Sequence, residues 1–66
     1  MRFKDNLIEA MDWAGVSCGE LAEAVRVSAS TVYHWRSGHY VPHPEVIGDI
    51  ADRLDCTCDW LIRGML

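Results

Sequence analysis

Sixty-six residues, half of them hydrophobic and 24% charged, specify one small folded domain and exclude a disordered chain. So short a chain barely fills one core, which excludes most self-contained enzymes, and no apolar run approaches the roughly 18 residues of a membrane span. A net charge of −4 argues, taken over the whole chain, against nucleic acid, because phosphate contacts want Lys and Arg.

The chain is punctuated by helix starts and stops. Phe3, Leu7, Ala10, Met11 and Ala14 share one stripe at helical spacing, and Gly15 ends that run. Ser17-Cys18-Gly19-Glu20 reads as a capping box that opens a second helix with Leu21, Ala22 and Val25 on its buried side. Ser28 caps a third helix, in which Val32 and Trp35 lie one turn apart and Gly38 marks the end. His43-Pro44 opens a fourth helix with Val46, Ile47, Ile50, Ala51 and Leu54 as its apolar face. Thr57 caps a short fifth helix that carries Trp60 and Leu61 and stops at Arg63-Gly64. The pattern predicts an all-α fold over residues 1–66, with helices near 3–14, 18–25, 29–36, 44–54 and 58–63.

Residues 1–16 mix Arg2, Lys4, Asp5, Glu9 and Asp12 among apolar ones, unlike a secretory leader. Cys18, Cys56 and Cys58 are an odd number of thiols, which fits a reducing compartment, so a cytoplasmic location is expected. The Cys56-x-Cys58 pair, with His39 and His43, matches no standard zinc spacing. The three cysteines read instead as small hydrophobes near helix starts, and no metal or other cofactor is expected. No nucleophile, base and acid can be grouped, so no enzyme and no small-molecule substrate is expected.

Residues 17–38 form two capped helices joined by about four residues, the helix-turn-helix layout. Ala22 is the small residue the helix crossing needs, Val32 the branched residue facing inward, and Val27 can plug the turn. The segments Ser17-x-x-Glu20-Leu21-Ala22, Val27-Ser28-x-Ser30-Thr31-Val32, Trp35-Arg36-x-Gly38, Pro42 and Ile50-Ala51-x-x-Leu54 carry a resemblance. With the tail Cys58-Asp59-Trp60-Leu61-Ile62-x-Gly64, the chain resembles the lambda-repressor-like helix-turn-helix family, the phage repressor and Cro class. The resemblance implies a compact five-helix domain with the helix-turn-helix at helices 2 and 3. It also implies sequence-specific binding of double-stranded DNA, usually as a dimer.

Three departures stand out against that pattern. Arg26 occupies the turn position where glycine is usual, which predicts a positive φ there. Cys18 stands where the family begins its second helix with a phosphate-contacting glutamine. Met11 and Arg36 stand where an arginine on helix 1 often pairs with a glutamate at the end of helix 3, so that ion pair is absent. The resemblance places phosphate contacts at the start of the second helix, on Ser17 and Cys18.

The charge distribution answers the objection from net charge. Residues 24–44 hold Arg26, Arg36, His34, His39 and His43 and not one Asp or Glu, a formal charge of +2. All ten acids and the other four bases lie outside, for −6, so an acidic protein can present a neutral-to-basic face. At 100° per residue, Val32 and Trp35 define the buried side of the third helix, and Ser30, Tyr33, His34 and Ser37 point away. Ala29 and Ser30 sit at the end that meets base edges in this motif, Ala29 suited to a thymine methyl and Ser30 to many base edges. His34 suits guanine or a phosphate, and Tyr33 the sugar-phosphate backbone. Arg36, His39 and Tyr40 are candidate phosphate contacts, with Arg2 and Lys4 beside them.

Trp35 is assigned to the core, and Trp60 to the core or a dimer interface. Trp13 lies off the main stripe of helix 1, so it is either an exposed anchor for a partner or packs against helix 5. A homodimer through Trp60, Met65 and Leu66 is expected, on a near-palindromic operator. The leading expectation is a phage or prophage transcriptional repressor. The alternative is a protein-interaction module of the same fold, such as an antitoxin, with weak DNA affinity.

Overall fold

The computed structural model describes residues 2–64. Among them are five α-helices and no strand: α1 (Phe3–Ala14), α2 (Cys18–Val25), α3 (Ala29–Ser37), α4 (Pro44–Leu54) and α5 (Cys58–Arg63). The expected bounds agree, except that α3 runs one residue further, through Ser37. No helix of the described residues is long and apolar enough to cross a membrane.

The starts are local chemistry. Glu20 N–H donates to Ser17 Oγ at 3.1 Å and Ser17 N–H donates to Glu20 Oε1 at 3.0 Å, so both halves of the capping box form. These bonds hold the Glu20 carboxyl below its ordinary pKa, since they favour the ionised form. Ser28 Oγ accepts from Thr31 N–H and Thr57 Oγ1 accepts from Trp60 N–H. Pro44 opens α4 without a side-chain cap bond.

The stops share one geometry. Each helix ends on a residue in the left-handed region, and Arg26 (φ 62°) and Asp55 (φ 56°) are the two that are not glycine. Arg26 therefore has the positive φ expected of it. In α1, α2, α3 and α4 the next N–H bonds five residues back: Val16 to the Met11 carbonyl, Val27 to Ala22, His39 to His34 and Cys56 to Ala51. Val16 is buried, and Val27 and Cys56 pack against the core. The exception is His39, which follows α3 and stays exposed.

Leu7, Leu21, Val32, Ile50 and Leu61, one from each helix, are fully enclosed and form the centre of the core. Ala22 is buried in the middle of α2, against which α3 and α4 both pack. Two expectations for α1 need correcting. Ala14 is exposed at the last residue of α1, although it lies on the stripe. Asn6 takes a place on the buried face: it is fully buried, and its Nδ2 donates to the Leu61 carbonyl at 2.9 Å, tying α1 to the end of α5. Its Oδ1 has no hydrogen-bond partner among the described residues. Val46 is only half-buried at the edge of the α4 face.

The packing order positions α3. It packs on α1 and α2, whereas α4 packs on α1, α2 and α5, and α5 on α1 and α4. Only Val32 and Trp35 of α3 are buried, so most of its circumference faces solvent.

Candidate nucleic-acid interface

Ala29, Ser30, Tyr33, His34 and Ser37 are all exposed on α3, opposite Val32 and Trp35. The Ser37 hydroxyl donates to the Tyr33 carbonyl at 2.8 Å, which occupies its proton and leaves its oxygen as an acceptor. Ser30 makes no side-chain bond to another described residue, so its hydroxyl is available as donor and acceptor.

The end of α3 brings three rings together. His34 and His39 have ring centroids 5.1 Å apart, and Tyr40 meets His34 edge-on at 5.8 Å. The His39 N–H bond to the His34 carbonyl explains the first contact, because the left-handed turn at Gly38 folds the chain back over the last turn of the helix. Glycine is favoured at position 38 by its φ of 81°, and Lys4 passes so close that a Cβ there would lie 2.9 Å from its Cδ and push the flexible side chain aside.

That approach of Lys4 joins the start of α1 to the end of α3. Arg2, Lys4, Ser37, Gly38, Tyr40 and Val41 line one shallow cleft. Spacing along the chain does not reveal this cluster, because the two bases lie over thirty residues from the loop they approach. Arg26 lies elsewhere, in a cleft at the end of α2 with Asp49, Asp52 and Arg53. Its charge therefore faces acids of α4.

A helix-turn-helix family model matches residues 7–61, which include all of α2, α3 and α4. The chain belongs to the helix-turn-helix family. Its lambda-repressor-like form is the one the sequence resembles, and the fold agrees. The P22 c2 repressor protein, in a crystal structure in complex with synthetic operator 9T in the presence of Tl+, superposes with a TM-score of 0.90. The match covers 98% of each chain at 18% sequence identity. A search of curated proteins finds no match.

Within the helix-turn-helix, the expected contact set divides. Ser17 is exposed, with its hydroxyl already accepting from Glu20 N–H. Cys18 must be corrected: it is 6% exposed, turned into the core at the first residue of α2, and its side chain presents nothing to a ligand. Its sulfur instead accepts from Arg36 Nη1 at 3.0 Å. Arg36 is half-buried, while His39 and Tyr40 are exposed. Of the residues assigned to a dimer interface, Trp60 is half-buried against the core, and Met65 and Leu66 lie outside the described residues. Trp35 is buried as expected.

Trp13 is 90% exposed, which settles its placement in favour of the exposed alternative. It lines a groove with Glu9, Ala10, Leu54, Cys56 and Trp60. Burial there, then the nearby Cys58 and Asp55, push the Cys56 thiol above its ordinary pKa. Among the described residues, no three His, Cys, Asp or Glu are grouped to hold a metal ion.

Proposed function

We propose that this chain is a sequence-specific, double-stranded-DNA-binding transcriptional regulator of the repressor or Cro type, acting as one domain with α3 in the major groove. One observation carries the reading: α3 leaves Ala29, Ser30, Tyr33 and His34 exposed on a face no other helix covers, in a stretch without a single acid. A helix of this kind fits the major groove, with the residues near its start meeting base edges. Ser30 and His34 read bases, with Ala29 against a thymine methyl. Tyr33, Arg36, His39 and Tyr40 contact the backbone, joined by Arg2 and Lys4 at the end of α3. The neighbour's crystallisation with an operator supports the same reading.

The working form is a homodimer, with Trp60, Met65 and Leu66 at its interface. Its operator is near-palindromic, with half-sites about one turn, roughly 34 Å, apart. The biological role proposed for it is that of a phage or prophage repressor. Selection of bound duplexes from a random library, with sedimentation in parallel, tests the proposal. Enrichment of a near-palindrome by a dimer is expected. No enrichment of any duplex would overturn it.

Trp13 favours a second reading, a partner-binding module of the same fold. An indole 90% exposed beside a groove is an unusual feature for a protein that meets only DNA. A chain that enriches no duplex would shift the assignment to this module.

A further inference from the structure

Two residues that depart from the family pattern, Cys18 and Arg36, meet in space. Cys18 opens α2 and Arg36 lies in the last turn of α3, yet Arg36 Nη1 donates to Cys18 Sγ at 3.0 Å. Met11, where the family often has its arginine, is apolar and only 2% exposed, so the cation beside Cys18 comes from α3. Cys18 and Arg36 therefore form one arrangement.

The chemistry of the contact is specific. A guanidinium has five N–H donors in a planar fork, and only one of Arg36's bonds to a described side chain. A thiol is a weak, uncharged acceptor: it can orient the guanidinium without neutralising it. A carboxylate in that place would compete with a phosphate for the same fork. Cysteine is too short and too buried to reach a phosphate from the start of α2, whereas the longer Arg36 side chain, half-buried over it, keeps a free edge.

We propose that Arg36 is a DNA-phosphate clamp and that Cys18 is its positioning residue, the thiol holding one edge of the guanidinium and leaving the other for a backbone phosphate. The proposal rests on the DNA-binding reading above. A long arginine free in solvent loses rotamer freedom when it binds; one already held by Cys18 has lost part of it on folding. Cys18 thus acts on affinity through Arg36 and touches no DNA.

The test is fluorescence anisotropy with the duplex selected from the random library and an unselected duplex, each over a salt series. Wild type is compared with Arg36→Ala, Cys18→Ala, Cys18→Ser and the double alanine variant, with circular dichroism melts for each. Cys18→Val, a near-isostere without the acceptor, replaces Cys18→Ala should that variant melt below assay temperature. Arg36→Ala is expected to weaken both duplexes about tenfold and to make the slope of log K against log[salt] shallower by about 0.9, the loss of one phosphate contact. Cys18→Ala should weaken binding about three- to tenfold and flatten the slope in the same direction, and Cys18→Ser, which keeps an acceptor, should stay within about twofold of wild type. The double variant should bind no more weakly than Arg36→Ala alone. A folded Cys18→Ala protein with wild-type affinity and slope, or a double variant whose loss is the product of the two single losses, would overturn the clamp alone. A wild-type chain that enriches no duplex would bring down the DNA-binding reading and the clamp with it.

Discussion

Replacing Arg26 by glycine should stabilise this protein. Arg26 ends α2 with φ 62° and ψ 47°, where its Cβ crowds the following carbonyl, at a cost of about 1 kcal/mol that glycine does not incur. The hydrogen bonds of the turn use only backbone: Arg26 N–H to the Glu23 carbonyl and Val27 N–H to the Ala22 carbonyl at 2.9 Å. Glycine keeps both. What the substitution removes is a charge in a cleft with Asp49, Asp52 and Arg53. Arg26 is exposed, so attraction to the two acids, offset by the neighbouring arginine, amounts to a few tenths of a kcal/mol. The net gain is roughly 0.5–1 kcal/mol, which in a domain of this size raises Tm by about 2–8 °C. Melting followed by circular dichroism at low and high salt checks it. The gain should grow with salt, because salt screens the lost attraction and leaves the backbone term intact. Asp55→Gly should gain less, since Asp tolerates the left-handed region better than most residues. An Arg26→Gly protein that melts several degrees below wild type at high salt would refute the argument and show that the Arg26 side chain, not the turn, matters there.

Four further outcomes are expected. Ser30→Ala combined with His34→Ala should abolish preference for the selected duplex while leaving binding to unselected DNA nearly unchanged; retained preference in competition binding would show that α3 is not the reader. His34→Ala alone, which removes one ring of the His34–His39–Tyr40 group, should weaken binding to the selected duplex more than to unselected DNA in fluorescence anisotropy. Asn6→Ala should destabilise the fold by about 1–3 kcal/mol in urea unfolding, because it leaves the Leu61 carbonyl buried without its donor. The Glu20 carboxyl has a lowered folded pKa, so its stabilisation is present above the usual carboxylate range and lost as the pH falls through the folded value; Glu20→Gln should show a smaller decline of Tm between neutral and acidic pH.

The helices were legible in the residues because their ends are decided over three to five positions. Ser17 with Glu20, Ser28 with Thr31, and Thr57 with the Trp60 amide are contacts within one turn, and such contacts form wherever the local sequence permits them. The Val32–Trp35 spacing likewise sets which side of α3 faces out, and the positive φ at Arg26 was legible through the family resemblance, which has glycine at that turn position. What required the tertiary structure is everything that depends on how one helix crosses another. Asn6 is a polar residue that reads as surface until the Leu61 carbonyl, 55 residues away in sequence, is brought to it. Cys18 and Arg36 read as two separate candidate phosphate contacts, and only the packing of α3 on α2 makes one the support of the other. Arg2 and Lys4 join the end of α3 only through the approach of Lys4 to Gly38. Trp13 lies off the stripe by periodicity, but its exposure depends on where α5 comes to rest against α1. Capping and periodicity follow from backbone geometry shared by every chain, whereas the side chains that meet across a helix crossing are selected by core packing over the whole molecule.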